Sequence, residues 1–143
     1  MNSNEIFLPR KLTNQLWHLA QQNPEQEICG LIAADNNGIP NSCYVIDNRA
    51  ANPENSFELD SSQQIAAMRN MREQQQTLYA IFHSHPHSAA IPSPTDLRKA
   101  AYPEAIHLII SLSTKGVLEL RGYRYQETGA QPLKLRLIET LWS

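Results

Sequence analysis

The sequence predicts a mixed α/β (α+β) domain with about six β-strands and two or three α-helices. Two segments repeat apolar residues at the spacing of an amphipathic helix, and several short runs are apolar and rich in β-branched residues. The helical segments fall between groups of these runs. The 143 residues suffice for one core, and no repeat or long linker divides them, so we expect a single domain over residues 1–143.

The first predicted elements are a helix and a β-hairpin. Between Pro9 and Pro24 an apolar stripe recurs at roughly helical spacing, formed by Leu12, Leu16, Trp17 and Leu19. Two short apolar runs follow, EICGLIAAD and NSCYVID. Asn37-Gly38 lies between them and is a hairpin signal, so we predict a strand, a turn and a second strand.

A loop, a second helix and the remaining strands complete the prediction. Residues 48–60 form one irregular stretch rich in asparagine. Asp60 is a suitable N-cap for the helix that follows, and Gln63 stands three residues later, as in a capping box. The apolar stripe of this helix is predicted to consist of Ile65, Met68 and Met71. Further strands are predicted in the runs TLYAIFH, AIHLIISLS, GVLELRGYRY and PLKLRLIET.

The composition argues against several classes of protein. A chain with 41% hydrophobic and 18% charged residues is typical of globular proteins. A net charge of −2 argues against nucleic-acid binding, which normally requires a clustered basic face. No stretch approaches the roughly 20 apolar residues of a spanning helix, and the first residues lack the apolar run of a signal peptide. We therefore expect a cytoplasmic protein that binds no membrane. Cys29 and Cys43 are too few for a disulfide framework and are expected to be free thiols.

Two histidines at the end of a predicted strand suggest a metal site. His83 and His85 are two residues apart, and alternate strand residues point to the same face, so both imidazoles can reach one point. Neutral imidazoles suit Zn²⁺, and a catalytic zinc usually takes three protein ligands with water in the fourth position. Asp96 is the nearest candidate for the third ligand.

The sequence SPTD at 93–96 has two compatible interpretations. Ser93 is a suitable N-cap, Pro94 takes the first helical position, and Asp96 falls in the first turn, so the motif by itself is a variant of the capping box. The same helix would direct Asp96 toward the end of the strand that carries the histidines. The Ser93 hydroxyl would then lie close enough to stabilise an oxyanion.

A general base is also needed, because some group must accept and deliver the proton of the attacking water. Glu27 opens an otherwise apolar run, where burying a carboxylate is costly unless its charge is used, and it is our candidate. His87 follows Pro86 in a loop and is left out of the metal ligands. Cys29 shares the strand face of Glu27 and is interpreted as a small buried residue, with a role near the site as the alternative. His18 and His107 are interpreted as structural histidines in packed surroundings.

Together these residues resemble the motif of the JAMM (MPN-plus) metalloprotease family. The matching parts are EICGLI with Glu27, HSHP at 83–86 and SPTD at 93–96, with seven residues between His85 and Ser93. The similarity extends over nearly the whole chain, because NPENSFELD and AYPEAIHLIISLS also look like connecting segments of that family. The resemblance implies a curved mixed sheet flanked by helices, with a layering like that of cytidine deaminases. Every position of the motif is filled, which disfavours an inactive scaffold.

The resemblance also implies a reaction and its residues. Zn²⁺ would be held by His83, His85 and Asp96, water would be activated by Glu27, and the transition state would be aided by Ser93. Family members remove ubiquitin, or ubiquitin-like and sulfur-carrier proteins, from what is attached to their C-terminal Gly-Gly. Only eight residues, 97–104, separate Asp96 from the next predicted strand, which leaves no space for the large insertion of the eukaryotic deubiquitinases.

We therefore expect a short stand-alone zinc metallopeptidase of the bacterial type. Its substrate would be the extended C-terminal tail of a ubiquitin-like or sulfur-carrier protein, which could be held as an added strand beside the site. A non-catalytic zinc-containing module that binds a ubiquitin-like partner is the alternative from another class, and a true deubiquitinase is the alternative among enzymes. Homodimerisation is plausible, but no feature of the sequence supports it.

Overall fold

The computed structural model describes residues 4–98, 105–113 and 119–139. Within these ranges the chain forms three helices and one seven-stranded sheet. The strands are β1 (Glu5–Pro9), β2 (Cys29–Ala34), β3 (Pro40–Ile46), β4 (Thr77–His85), β5 (Ile106–Ser111), β6 (Glu119–Gln126) and β7 (Gly129–Ile138). The helices are α1 (Arg10–Gln21), α2 (Ser61–Glu73) and α3 (Pro94–Arg98). The predicted mixed α/β class is confirmed.

The sheet is mixed and runs in the order β1-β7-β6-β5-β4-β2-β3. The pairs β1–β7 and β4–β5 are parallel, and the other neighbours are antiparallel. The sheet curls so that the hydroxyl of Tyr79, on β4, reaches the edge strand β1, where it lies 3.3 Å from the Phe7 nitrogen and 3.2 Å from the Phe7 oxygen.

Strand β1 was absent from the sequence prediction. It has only five residues, it ends at Pro9, and its partner β7 lies more than a hundred residues away, with Glu5 opposite Lys134. A short run of this kind shows no local signal for a strand, because its pairing is decided by distant residues.

Helix α1 covers one face of the sheet, close to where it was predicted. Its buried residues are Leu12, Thr13, Leu16 and Ala20. Leu12, Leu16 and Ala20 pack into the main core, which also contains Leu8, Phe82 and Leu108. Trp17 is only partly buried against this core, and His18 is exposed, so the prediction of packed surroundings for His18 is wrong. The helix turns His18 toward solvent, since it stands two residues, or about 200°, from Leu16.

Helix α2 begins as predicted, with the Asp60 carboxylate accepting a hydrogen bond from the Gln63 amide at 3.0 Å. The capping box is incomplete, because the Gln63 side chain donates to the Asp47 carboxylate at 2.8 Å. The predicted apolar stripe is partly wrong: Met71 is buried together with Ala67, whereas Ile65 is 61% exposed. Ile65 lies about 120° around the helix from Met71, too far to share its buried face.

Side chains alternate along the central strands, so neighbouring residues pack on opposite faces of the sheet. Phe82 of β4 and Leu108 of β5 belong to the core beneath α1, whereas Ile81 packs with the buried residues of α2. His83 and His85 share the face of Ile81, because side chains alternate along a strand. None of the helices in the described part of the chain is long and apolar enough to cross a membrane.

Candidate metal centre

Four buried side chains converge where β4 ends. Glu27 lies in the loop before β2, His83 and His85 lie on β4, and Asp96 lies in α3. One candidate ligand atom from each of the four falls within 4.8 Å of the others. The structure therefore brings together the three predicted metal ligands and the predicted base.

The three predicted ligands form a nearly equilateral triangle. The Nε2 atoms of His83 and His85 are 3.1 Å apart, and each lies 3.1 Å from Asp96 Oδ2. Ligands that bind zinc tetrahedrally at about 2.0 Å lie about 3.3 Å from one another. Two imidazoles and a carboxylate at this spacing fit Zn²⁺, and three such ligands would leave the fourth tetrahedral position of the ion for another ligand.

The His85 ring is oriented by the loop that follows it. Its Nδ1 lies 2.7 Å from the Ala89 carbonyl oxygen, so Nδ1 carries a proton and Nε2 is the atom that faces Asp96. His83 is fixed differently, by stacking on Phe57 with ring centroids 4.4 Å apart. Its Nδ1 is buried and has no hydrogen-bond partner among the described residues.

The motif SPTD forms the reciprocal cap that the sequence predicted. The Ser93 amide donates to Asp96 Oδ2 at 2.9 Å, and the Asp96 amide donates to Ser93 Oγ at 3.0 Å. Pro94 is the first residue of α3. Burial would raise the pKa of Asp96, but hydrogen bonds with His83 and His85 outweigh it and lower that pKa. The carboxylate is thus held as an anion in the position of a third ligand.

Glu27 is buried in surroundings that disfavour the charged form of its carboxyl group. Its side chain is 5% exposed, and Oε1 has no hydrogen-bond partner in the described part of the chain. Burial raises its pKa to about 8, although His85 acts in the opposite direction. A buried carboxyl with a free oxygen and a pKa near neutrality suits a group that accepts and returns a proton.

Backbone contacts hold Glu27 in place. Its amide donates to the Pro53 carbonyl at 2.7 Å, and its carbonyl accepts from Asn48 Nδ2 at 3.0 Å. The next amide, that of Ile28, donates to Ser84 Oγ at 2.8 Å. Ser84 lies between the two histidines, so this bond ties the residue after Glu27 to β4.

Sequence reasoning missed three residues that support the site: Asn48, Phe57 and Ser84. Asn48 and Phe57 belong to the stretch predicted as an irregular loop, which the structure folds against the cluster. The segment NPENSFELD resembles a connecting segment of the JAMM family, and this resemblance is the sequence signal for Phe57. Ser84 stands inside the motif HSHP, but its residue type alone indicates no role.

The other histidines and Cys29 lie outside the cluster. The His87 side chain is 62% exposed and 3.9 Å from Glu25, as expected for a loop residue. His107 is buried and stacks on Tyr125 at 3.9 Å, as expected for a structural histidine. Cys29 is fully buried, its thiol donates to the Ile46 carbonyl at 3.3 Å, and burial raises its pKa to about 12, so it stays a neutral thiol.

Comparison with known proteins supports the family resemblance. The family model for prokaryotic homologues of the JAB domain matches residues 9–123, a stretch that contains all four clustered residues. Over 93 residues the chain is 30% identical to the desampylase of Haloferax volcanii, which covers 64% of this chain and 67% of that protein. Over 134 residues it is 26% identical to the CysO-cysteine peptidase of Mycobacterium tuberculosis, with 94% and 92% covered.

Solved structures agree with the fold. A protein from Desulfitobacterium hafniense superposes with a TM-score of 0.80 at 28% identity, covering 95% of this chain and 94% of that one. A JAB1/MPN domain protein from Archaeoglobus fulgidus superposes with a TM-score of 0.57 at 15% identity, covering 94% of this chain and all of the other. The second likeness bears on the fold alone.

Proposed function

Because this chain belongs to the family of prokaryotic homologues of the JAB domain, we propose that it is a zinc-dependent peptidase. Its reaction would be hydrolysis of the peptide or isopeptide bond after the C-terminal Gly-Gly of a ubiquitin-like or sulfur-carrier protein. The observation that carries the proposal is the triangle of His83, His85 and Asp96 beside the Glu27 carboxyl, whose Oε1 has no hydrogen-bond partner among the described residues. We also propose that residues 1–143 act as one metallopeptidase domain.

In the proposed reaction, His83, His85 and Asp96 hold the zinc ion. When bound, the ion would act as a Lewis acid that polarises the scissile carbonyl and lowers the pKa of a water molecule to about 7. Glu27 takes a proton from the attacking water as its oxygen bonds to the carbonyl carbon. Glu27 then delivers that proton to the leaving amine as the C–N bond breaks, so protons balance over the cycle.

Ser93 is the proposed donor to the oxyanion. Its Oγ already accepts from the Asp96 amide, so the hydroxyl proton remains available to donate. The cap fixes this oxygen within the same turn as the Asp96 ligand. A donor held in place before the reaction stabilises the charge that develops on the carbonyl oxygen.

The names of two relatives support the substrate class. One is called a desampylase and the other a CysO-cysteine peptidase, and the second matches nearly the full length of this chain. We propose a similar substrate here, namely the C-terminal tail of a small carrier protein. We also propose a cytoplasmic location, because both cysteines are free and a reducing compartment keeps them so.

The test uses a fusion in which a carrier ending in Gly-Gly precedes a short peptide. Cleavage after Gly-Gly should stop when zinc is chelated and return when zinc is restored. Glu27→Gln should bind zinc but lower kcat by about 10²- to 10⁴-fold, because the proton acceptor is lost. The matched control is Glu25→Gln, whose side chain is 81% exposed and lies outside the cluster.

Two results would contradict the proposal. Full activity in Glu27→Gln would remove the proposed base. Tight binding of a carrier tail without turnover, by protein loaded with zinc, would instead support the non-catalytic binding module. The three-ligand geometry argues against that alternative, since structural zinc usually has four protein ligands.

A further inference from the structure

The loop between the second histidine and the serine cap is held by side chains from the sheet. This loop, residues 86–92, joins His85 to Ser93 and so sets the separation of two parts of the metal centre. Ser111 Oγ donates to the Ser88 carbonyl at 2.7 Å. The Tyr123 hydroxyl donates to the Ala90 carbonyl at 2.6 Å. These bonds lie on either side of Ala89.

Ala89 is the residue whose position matters for the metal. Its carbonyl oxygen accepts from His85 Nδ1 at 2.7 Å and from the Ile91 amide at 2.8 Å, which closes a tight turn at Ala90. The bond to His85 fixes both the tautomer and the direction of Nε2. Any shift of this peptide group would therefore turn the imidazole away from Asp96.

The two anchoring side chains are themselves rigidly placed. Ser111 is fully buried on β5, and Tyr123 is 6% exposed on β6. Ser111 and Tyr123 each pair with residues of both neighbouring strands, and the Leu112 amide adds a further bond to the His85 carbonyl at 3.2 Å. Ala90 is 1% exposed and packs in the same cluster as Tyr123, so water does not readily replace the tyrosine hydroxyl there.

We propose that Tyr123 and Ser111 are positioning residues for the metal centre, which act by holding the carbonyls of Ser88 and Ala90 and so aligning Ala89 with His85. The inference rests on the proposed zinc site. It predicts that removing either hydroxyl weakens metal binding in a protein that stays folded.

The structure supplies a matched control on the same strand. Tyr125 is two residues from Tyr123, is also buried, and has a hydroxyl without a hydrogen-bond partner among the described residues. Tyr125→Phe and Tyr123→Phe thus delete the same atom from neighbouring buried rings, but only the second deletes a bond to the loop. Comparing the two separates the hydrogen bond from the general effect of losing a hydroxyl.

The experiment measures zinc affinity by competition with a chromophoric chelator, with no substrate present. Tyr123→Phe and Ser111→Ala should each weaken zinc binding by about three- to tenfold, a factor that corresponds to the free energy of one buried hydrogen bond. Tyr125→Phe should stay within about twofold of the wild type. With Co²⁺ in place of zinc, the visible spectrum of Tyr123→Phe should shift, because His85 is less well oriented, while that of Tyr125→Phe should not.

Urea unfolding of the metal-free proteins provides the check on folding. If Tyr123→Phe is folded and binds zinc as tightly as the wild type, the inference is wrong. Equal losses in Tyr123→Phe and Tyr125→Phe would also overturn it, because a packing effect would then suffice. Failure of the wild type to bind zinc at all would instead contradict the proposed function, so the two failures are distinguishable.

Discussion

Glu27 shows how burial at a single residue links the candidate site to the stability of the fold. In the folded, metal-free protein its pKa is raised from 4.5 to about 8, mainly by burial. Between these two values the folded state holds a proton that the unfolded state has released. Stability must therefore fall as pH rises through this window and become constant, as far as this group is concerned, above about pH 8.

This linkage predicts a pH dependence that Glu27→Gln removes. The measurement is the unfolding free energy of metal-free protein in urea at pH 5 and pH 8.5. Wild type should lose stability relative to Glu27→Gln between these values, because only the wild type must bury a charge at the higher pH. Glu25→Gln is the control and should follow the wild type, since its carboxyl is 81% exposed. A wild type and a Glu27→Gln variant with parallel pH profiles would contradict the raised pKa.

At this scale the sequence predicted which ionisable residues meet, but not what holds them. Glu27, His83, His85 and Asp96 could be named because their chemical types and spacing resemble a known motif. Asn48 and Tyr123 could not, because each supports the site through a side-chain hydrogen bond to a backbone carbonyl. Such a bond has no sequence signature, since any carbonyl brought close by the fold can accept it.

At the scale of elements, α3 is a helix of five residues whose geometry depends on its cap. A helix this short has little stability of its own, so the reciprocal bonds between Ser93 and Asp96 define its first turn. The same bonds place Asp96 Oδ2 at the triangle. The same bonds therefore cap the helix and hold the candidate metal ligand, so the two interpretations of SPTD are compatible.

Substitutions at Ser93 should separate the cap from the proposed oxyanion donor. Ser93→Ala removes the Oγ cap and the oxyanion donor together. Zinc binding should weaken by about fivefold, which corresponds to the free energy of an N-cap, and kcat should fall by about 10²-fold. Ser93→Thr keeps both groups and should retain most of the activity. Zinc titration and cleavage of the carrier fusion measure the two effects. An unchanged kcat in Ser93→Ala would exclude the oxyanion role, whatever happens to metal affinity.

Strand β2 contains a position that admits only glycine. A Cβ at Gly30 would collide with the Tyr44 carbonyl oxygen and come within 2.6 Å of the Phe82 ring. Both obstacles are fixed, one as backbone of the paired strand β3 and the other as a fully buried ring. Close packing of three strands therefore explains this glycine in the motif EICGLI.

Gly30→Ala should lower the unfolding free energy by about 3 kcal/mol or more, the upper range for overpacking. Gly38→Ala is the comparison, because it lies in the hairpin turn with φ of 77° and no atom within 4 Å of its Cβ position. That change should cost about 1–2 kcal/mol, from backbone strain alone. Urea unfolding measures both, and a smaller loss for Gly30→Ala than for Gly38→Ala would contradict the packing account.

The elements themselves were predictable to the extent that their signals are local. Two helices and six strands follow from periodicity and capping residues, whereas β1 depends on pairing with β7 at the far end of the chain. The exposed position of Ile65 shows that helical periodicity does not by itself identify the buried face of a helix. An apolar side chain on a helix is a candidate for the core, but only the packed sheet decides which face is covered.

For the whole molecule, the candidate metal ligands join two elements, β4 and α3, that a loop separates in the chain. His83 and His85 come from β4, and Asp96 comes from a short helix beyond a loop of seven residues. In the metal-free protein these groups still contact one another through the His–Asp bonds at 3.1 Å. A bound ion would add its binding free energy to the folded state, because the unfolded chain cannot hold the three ligands together.

Zinc should therefore raise the melting temperature of the entire domain. At a free concentration about 1,000 times the Kd the gain is about 4 kcal/mol, which corresponds to a shift on the order of 10 °C for a chain of this size. Thermal unfolding with and without zinc measures it. Asp96→Asn removes the anionic ligand and should lose most of the shift, whereas Glu25→Gln, at an exposed site outside the cluster, should keep it. An equal shift in Asp96→Asn would mean that zinc binds elsewhere on the folded protein, because stabilisation through the triangle requires its carboxylate.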